Sequence, residues 1–185
     1  MQEKYTFLAV CVIVSIITAL AATYAFNNLL PKGSSQKIAE FYSTETAVSV
    51  SPSDYISDLN AGKIDGLLVD LRSANEYNSG HLVTAINIPA VEMNRSQLVF
   101  AFSKLPKDRP IITYCYSEYC MLSRNVGEAL AENGIYAKHF TAGWYEIKRD
   151  FPQYIVNGTG AGDLSALPPT AGSSCSNTGN STFHC

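Results

Sequence analysis

Basic charge is in short supply in this chain: 13 lysines and arginines stand against 16 aspartates and glutamates, for a net charge of -3 over 185 residues. Without a basic excess, the electrostatic footprint of a nucleic-acid partner is missing. Metal-ligand spacing is missing too. No Cys-x-x-Cys and no paired His-Cys pattern occurs, so the sequence supports no zinc site and implies no metal or cofactor. No segment repeats, which excludes an array of like units. Charge is absent altogether from Tyr5 to about Phe26, and the stretch has no polar face, which excludes a core helix of a folded domain. Large apolar residues are nearly absent from Asn157 to Cys185. That tail, rich in Gly, Ser, Thr, Asn and Ala, buries too little surface to fold alone.

What is present fits one domain with extensions. Hydrophobic residues make up 46% of the chain, enough for one compact core of ordinary size. The uncharged stretch from Tyr5 to Phe26 matches the roughly 20 residues that span a bilayer. Lys4 and the amino terminus on its near side place the rest of the chain outside the cytoplasm. Ala19-Leu20-Ala21 is also a small-x-small cleavage pattern, so a retained anchor and a cleaved signal peptide both stand. Either way the remainder is exported: membrane-anchored on the extracytoplasmic side, or secreted or periplasmic. The expected organisation is an anchor or signal over 1–30, a Pro-Lys-Gly-Ser-Ser-Gln type linker over 31–37, a domain over 38–154 and a low-complexity tail over 155–185. Asn94-Arg95-Ser96, Asn157-Gly158-Thr159 and Asn180-Ser181-Thr182 match the N-glycosylation acceptor pattern, which agrees with export.

Within the domain, Ser51-Pro52 followed by Tyr55, Ile56 and Leu59 and then Gly62 reads as a short helix with its cap and its C-terminal glycine. Leu67 to Leu71 is a buried strand by its continuous apolar run, Ser73 to Asn78 is helical, Ala85 to Ile88 extended and Gln97 to Leu105 helical. A strand over Pro110 to Tyr114 ends at Cys115. Leu122, Val126, Ala129 and Leu130 share one helical face that stops at Asn133-Gly134. Ile135 to Phe140 is a strand and Trp144 to Arg149 a last helix. Strands alternating with helices predict an α/β fold with a central parallel sheet and helices on both faces. Sites in such sheets form at the carboxyl ends of strands, and Cys115 is at one. A thiol between a buried strand and a helix start lies where backbone amides and the helix dipole favour its ionised form.

The residues from Asp70 to Pro89 then carry a resemblance. Asp70-Leu71-Arg72, the Glu76-Tyr77 pair, Gly80-His81 and Ala85-Ile86-Asn87-Ile88-Pro89 resemble the amino-terminal signature of rhodanese-like domains. Tyr114-Cys115 is similar to that family's strand-to-loop catalytic position, and Phe140-Thr141-Ala142-Gly143-Trp144 to its carboxy-terminal Gly-Gly segment. The resemblance implies a rhodanese-like three-layer fold and a sulfurtransferase. Its loop cysteine takes sulfur from a donor as a persulfide and hands it to a thiophilic acceptor. Cys115 is then the nucleophile, and the amides of Tyr116, Ser117, Glu118, Tyr119 and Cys120 form the cradle for its anion. The partners implied are a small sulfur donor or a protein persulfide and a thiol acceptor. Size and a single thiol site point to a monomer.

The loop departs from the family pattern. Glu118 stands where thiosulfate-using members often carry cationic or glycine residues, and pointing inward it would repel a dianion and raise the thiol pKa. Tyr116 and Tyr119 either line a mouth for an organic thiol or protein persulfide, or are exposed without a role. Cys120 either resolves a Cys115 persulfide as a dithiol or packs as a small residue at the helix start. Related phosphatases and arsenate reductases place an Arg six residues after the cysteine; Met121 stands there, which argues against an oxyanion site. A non-catalytic binding module is the remaining alternative.

Asp70 and Arg72 either anchor the loop or contact substrate, with Glu76 as a second partner for Arg72. Arg124 either faces an anionic group or is a solvated charge. His81 is read as a local hydrogen-bonding residue and Trp144 as core packing under the last helix. Cys175 and Cys185 in the tail either pair with each other or serve in lipidation or metal binding, or simply end a disordered segment.

Overall fold

The computed structural model describes residues 2–29, 33–63 and 66–162. Two compact units divide the chain, Met1–Ser43 and Thr44–Cys185. The first holds helix α1 (Gln2–Leu29) and the start of α2 (Ser34–Val48). Its span Gln2–Phe26 is long and apolar enough to cross a membrane. At 1.5 Å per residue that is about 37 Å of helix. Its serine and threonine hydroxyls return to the helix backbone, as where Ser15 Oγ donates to the Cys11 carbonyl at 2.8 Å and Thr18 Oγ1 to the Val14 carbonyl at 2.9 Å, which suits an apolar surround. The linker expected over 31–37 gives way to helix at Ser34, where Lys37 N bonds the Gly33 carbonyl and the following Ile-Ala-Glu-Phe favours helix.

The second unit continues with β1 (Ser49–Val50), α3 (Pro52–Asn60), β2 (Leu67–Asp70), α4 (Ala74–Ser79), β3 (His81–Leu82), β4 (Ile86–Asn87), α5 (Arg95–Ser103), β5 (Ile111–Tyr114), α6 (Leu122–Ala131), β6 (Ala137–Phe140), α7 (Trp144–Asp150) and β7 (Ile155–Val156). Five of these strands pair in the order β1-β6-β5-β2-β4, every pair parallel. The α/β architecture expected from the alternation of apolar runs is therefore present. Each boundary has a local cause. Pro52 opens α3 at the position where its missing N–H costs nothing. Ser73 and Glu76 cap α4 reciprocally, and Asn94 and Gln97 do the same for α5. Gly134, at φ +72°, ends the α6 segment in a conformation that a side chain would strain.

Period-2 alternation divides the core into two layers. Leu68, Ile112 and Tyr114 face one way, toward Ile56 and Leu59 of α3 and Ile147 of α7. Val69, Leu71, Ile111 and Cys115 face the other, toward Leu98 and Phe102 of α5 and Val126 and Leu130 of α6. Each such aliphatic side chain, fully buried, contributes about 1.5–3 kcal/mol against exposure. The alternation along β5 is what delivers Cys115 to the α5/α6 face.

The fold reaches past residue 154, where composition had begun the tail. β7 pairs antiparallel with β3, and Thr84 N donates to the Ala161 carbonyl. His81, fully buried, sets Nδ1 2.8 Å from the Tyr77 carbonyl and Nε2 2.9 Å from that of Gly160. Backbone pairing of this kind leaves little trace in composition. Cys175, Cys185 and Asn180 lie outside the described residues.

Candidate active site

Asp70 and Tyr114 are partners in register at the carboxyl ends of β2 and β5, so the residues after them emerge side by side. Leu71 N bonds the Tyr114 carbonyl at 3.0 Å and continues the ladder by one step. Asp70 is fully buried and needs compensation for its charge. It accepts from Arg72 N at 2.9 Å, from Arg72 Nε at 3.1 Å and from Arg72 Nη2 at 2.5 Å. Nη2 also donates to the Gly80 carbonyl at 2.8 Å, and the guanidinium lies 4.1 Å from the centre of the Trp144 ring. The Asp70–Arg72 pair thus knits β2 to the turn before β3 and to α7. Trp144 is half-buried against this guanidinium and differs from the expected core residue. With Arg72, Glu76, Tyr116 and Lys148 it lines a cleft of about 360 Å³.

Cys115 is 2% exposed. Its Sγ lies 3.8 Å from Ser123 Oγ, in the first turn of α6, and 3.7 Å from the Cys120 carbonyl oxygen. Burial, the largest effect, pushes the Cys115 thiol above its ordinary 9.0, and its hydrogen bond to Cys120 adds to this; the amide and hydroxyl of Ser123 pull the other way. Cys120 is half-buried. Its burial is outweighed by the hydrogen bond from Cys115 and by the amides of Leu122, Tyr116 and Ser117, which hold the Cys120 thiol below its ordinary value. The expected amide cradle is therefore redirected. Tyr116 and Ser117 aim at the sulfur of Cys120, Glu118 N donates to Glu146 Oε2 at 3.2 Å, and Cys120 N closes a turn on the Ser117 carbonyl at 3.0 Å. The reason is distance along the chain: α6 starts seven residues after Cys115, and the intervening turn swings Cys120 into the amides.

The rest of the loop is tied down from outside. Tyr116 Oη donates to Glu76 Oε2 at 2.8 Å, and burial followed by that carboxylate pushes the phenol up to about 12. Glu118 is exposed, and its carboxylate pushes the Tyr119 phenol up rather than acting on the Cys115 thiol. Tyr119 is 83% exposed. Arg124 is also exposed and donates through Nη1 to the Glu118 carbonyl at 3.4 Å, supporting loop backbone. Trp144 N and Tyr145 N bond the carbonyls of Cys115 and Tyr116 at 2.8 and 3.0 Å. Gly143 makes this approach possible: a Cβ there would overlap the backbone of Tyr116 and Ser117.

Ser123 and Glu146 were not singled out from sequence. Ser123 had a signal of a kind, a hydroxyl in the first turn of the helix after the loop. Glu146 lies three residues after Gly143, the position from which a carboxylate caps a helix, and it accepts from Gly143 N at 2.9 Å as well as from the loop. No cluster of three metal-ligating side chains occurs among the described residues.

A parallel sheet presenting a thiol at a central strand end, before a helix that supplies an amide and a hydroxyl, defines a cysteine-loop α/β domain. The chain belongs to the rhodanese-like domain family, whose model matches residues 51–150, more than half of its length. It is similar to the thiosulfate sulfurtransferase GlpE of Shewanella oneidensis, 31% identical over 67 residues, 36% of this chain and 59% of that one. It is similar also to an HTH-type transcriptional regulator of Mycobacterium tuberculosis, 30% identical over 122 residues, 60% of this chain and 51% of the relative. The chain thus spans between about half and three fifths of the length of these curated relatives. Among solved structures, the BH2092 protein of Bacillus halodurans superposes with a TM-score of 0.55 at 26% identity, covering 70% of this chain and 91% of that one.

Proposed function

We propose that this protein is a sulfurtransferase in which Cys115 takes sulfane sulfur from a small donor or a protein persulfide and passes it to a thiol. The observation that carries the reading is the position of Cys115, at the carboxyl end of β5 with Ser123 Oγ 3.8 Å from its sulfur. Membership in the rhodanese-like family and likeness to a named sulfurtransferase support it. The nucleophile is the thiolate, and burial opposes that form in the resting site. The Ser123 amide and hydroxyl then face the anion. Incubation of the full chain with sulfane donors, followed by mapping of the persulfide-bearing peptide, tests this reading. A label on Cys115 that passes to an added thiol is expected, and no label from any donor overturns it.

We further propose that α1 anchors the chain in a membrane with the second unit on the extracytoplasmic side, on the strength of its apolar span and of Lys4 before it. Full-length protein should remain in the membrane pellet after alkaline carbonate. Recovery in the soluble fraction with its amino terminus near Ala22 would assign a cleaved signal instead.

A further inference from the structure

We propose that Cys120 is a second catalytic thiol, which resolves the Cys115 persulfide and gives the protein a sulfane-reducing, sulfide-releasing activity. The inference rests on the carrier role proposed for Cys115. Three features of the loop support it. The turn from Ser117 to Cys120, closed by a 3.0 Å hydrogen bond, folds the chain back so that the backbone of Cys120 meets the Cys115 sulfur. Cys115 Sγ lies 3.7 Å from the Cys120 carbonyl oxygen, and both cysteines are free thiols. The amides of Leu122, Tyr116 and Ser117 converge on the sulfur of Cys120. In a carrier with one working cysteine, donors of this kind serve the outer sulfur of the persulfide. Here they favour the anion of a protein sulfur, that of a residue whose carbonyl oxygen lies 3.7 Å from Cys115 Sγ.

Those amides favour the thiolate of Cys120 over its thiol, near the electrophilic disulfur group that a persulfide would form. The Cys120 thiolate attacks the inner sulfur, on Cys115. A Cys115–Cys120 bond forms, the bond between inner and outer sulfur breaks, and the outer sulfur leaves with its proton as hydrosulfide. The two cysteine sulfurs together lose two electrons and the sulfane sulfur gains them. An external dithiol then reduces the loop disulfide by two successive exchanges and is itself oxidised to a disulfide, which restores both cysteines. Hydrosulfide leaves more readily than an alkyl thiolate because its conjugate acid is stronger.

The test uses the detergent-solubilised full chain, reduced, freed of reductant and mixed under nitrogen with equimolar glutathione persulfide. Sulfide is measured against a protein-free control, and the loop peptide is weighed without reduction. The expected result is sulfide equimolar with the chain and a Cys115–Cys120 disulfide. Cys120→Ser should instead accumulate a loop peptide heavier by one sulfur and release no sulfide above the control. A persulfide that persists on Cys115 of the unmodified chain overturns the resolving role and leaves the carrier reading intact. Absence of label on Cys115 in both the unmodified chain and Cys120→Ser, without sulfide, overturns the carrier reading and this inference together. A disulfide formed without equimolar sulfide also overturns it, as simple oxidation. The measurement on the unmodified chain decides even where Cys120→Ser does not fold.

Discussion

Tyr116 Oη donates to Glu76 Oε2 at 2.8 Å, and the same oxygen accepts from Ser73 Oγ at 2.6 Å and Ser73 N at 3.1 Å. One carboxylate oxygen therefore caps α4 and pins the residue immediately after Cys115. The Ser73 hydroxyl above all, then the Tyr116 hydroxyl and the Ser73 amide, hold the Glu76 carboxyl below its ordinary 4.5 against the opposing effect of burial.

Because the folded-state value is lowered, stability from Glu76 is complete above the ordinary value of 4.5 and is lost as pH falls through the lowered one. Tyr116→Phe should cost about 0.5–1.5 kcal/mol at neutral pH, the net contribution of one hydrogen bond. Its penalty should shrink on the acid side of that window. Urea denaturation at a series of pH values checks both, and a pH-independent penalty would contradict the assignment.

The two thiols should react in a fixed order. With Cys120 lowered below 9.0 and Cys115 raised above it, thiolate at neutral pH resides mainly on Cys120, which is also the more exposed. Brief iodoacetamide treatment at pH 7 should therefore label Cys120 first, by peptide mass. Cys115 should react only at alkaline pH, and Ser123→Ala should delay it further. First labelling of Cys115 would reverse the assignment of the cradle.

Gly143→Ala should displace the loop without unfolding the sheet. The added methyl meets the backbone of Tyr116 and Ser117, which cannot rotate aside as a flexible side chain would. A cost of about 1–3 kcal/mol is expected, typical of overpacking. Donor-dependent labelling of Cys115 should fall at least as sharply. Unchanged labelling would show that the 143–145 segment does not hold the loop.

Removing one partner of the buried pair should be worse than any loop change. Asp70→Ala leaves the Arg72 guanidinium, 2% exposed, without its carboxylate. The expected loss is about 3–5 kcal/mol, read as a lowered denaturation midpoint. A loss below about 1 kcal/mol, the level of an exposed pair, would mean that water reaches the site.

The signature from Asp70 to Pro89, the apolar runs of β2 and β5 and the face of α6 were legible along the chain because each depends on neighbours in sequence. Period-2 and 3.6-residue patterns, capping boxes and glycine stops are local physics, and they place Cys115 at a strand end without any tertiary contact. The uncharged run of α1 was equally plain. What the sequence left open were contacts between residues far apart in it. Tyr116 meets Glu76, Gly143 lies against Ser117, and β7 pairs with β3 across more than seventy residues. Whether the loop amides serve Cys115 or Cys120 depended on the path of a single turn. Tertiary folding decided it, because hydrogen-bond direction is set in space and a short polar loop carries no periodicity from which to read it.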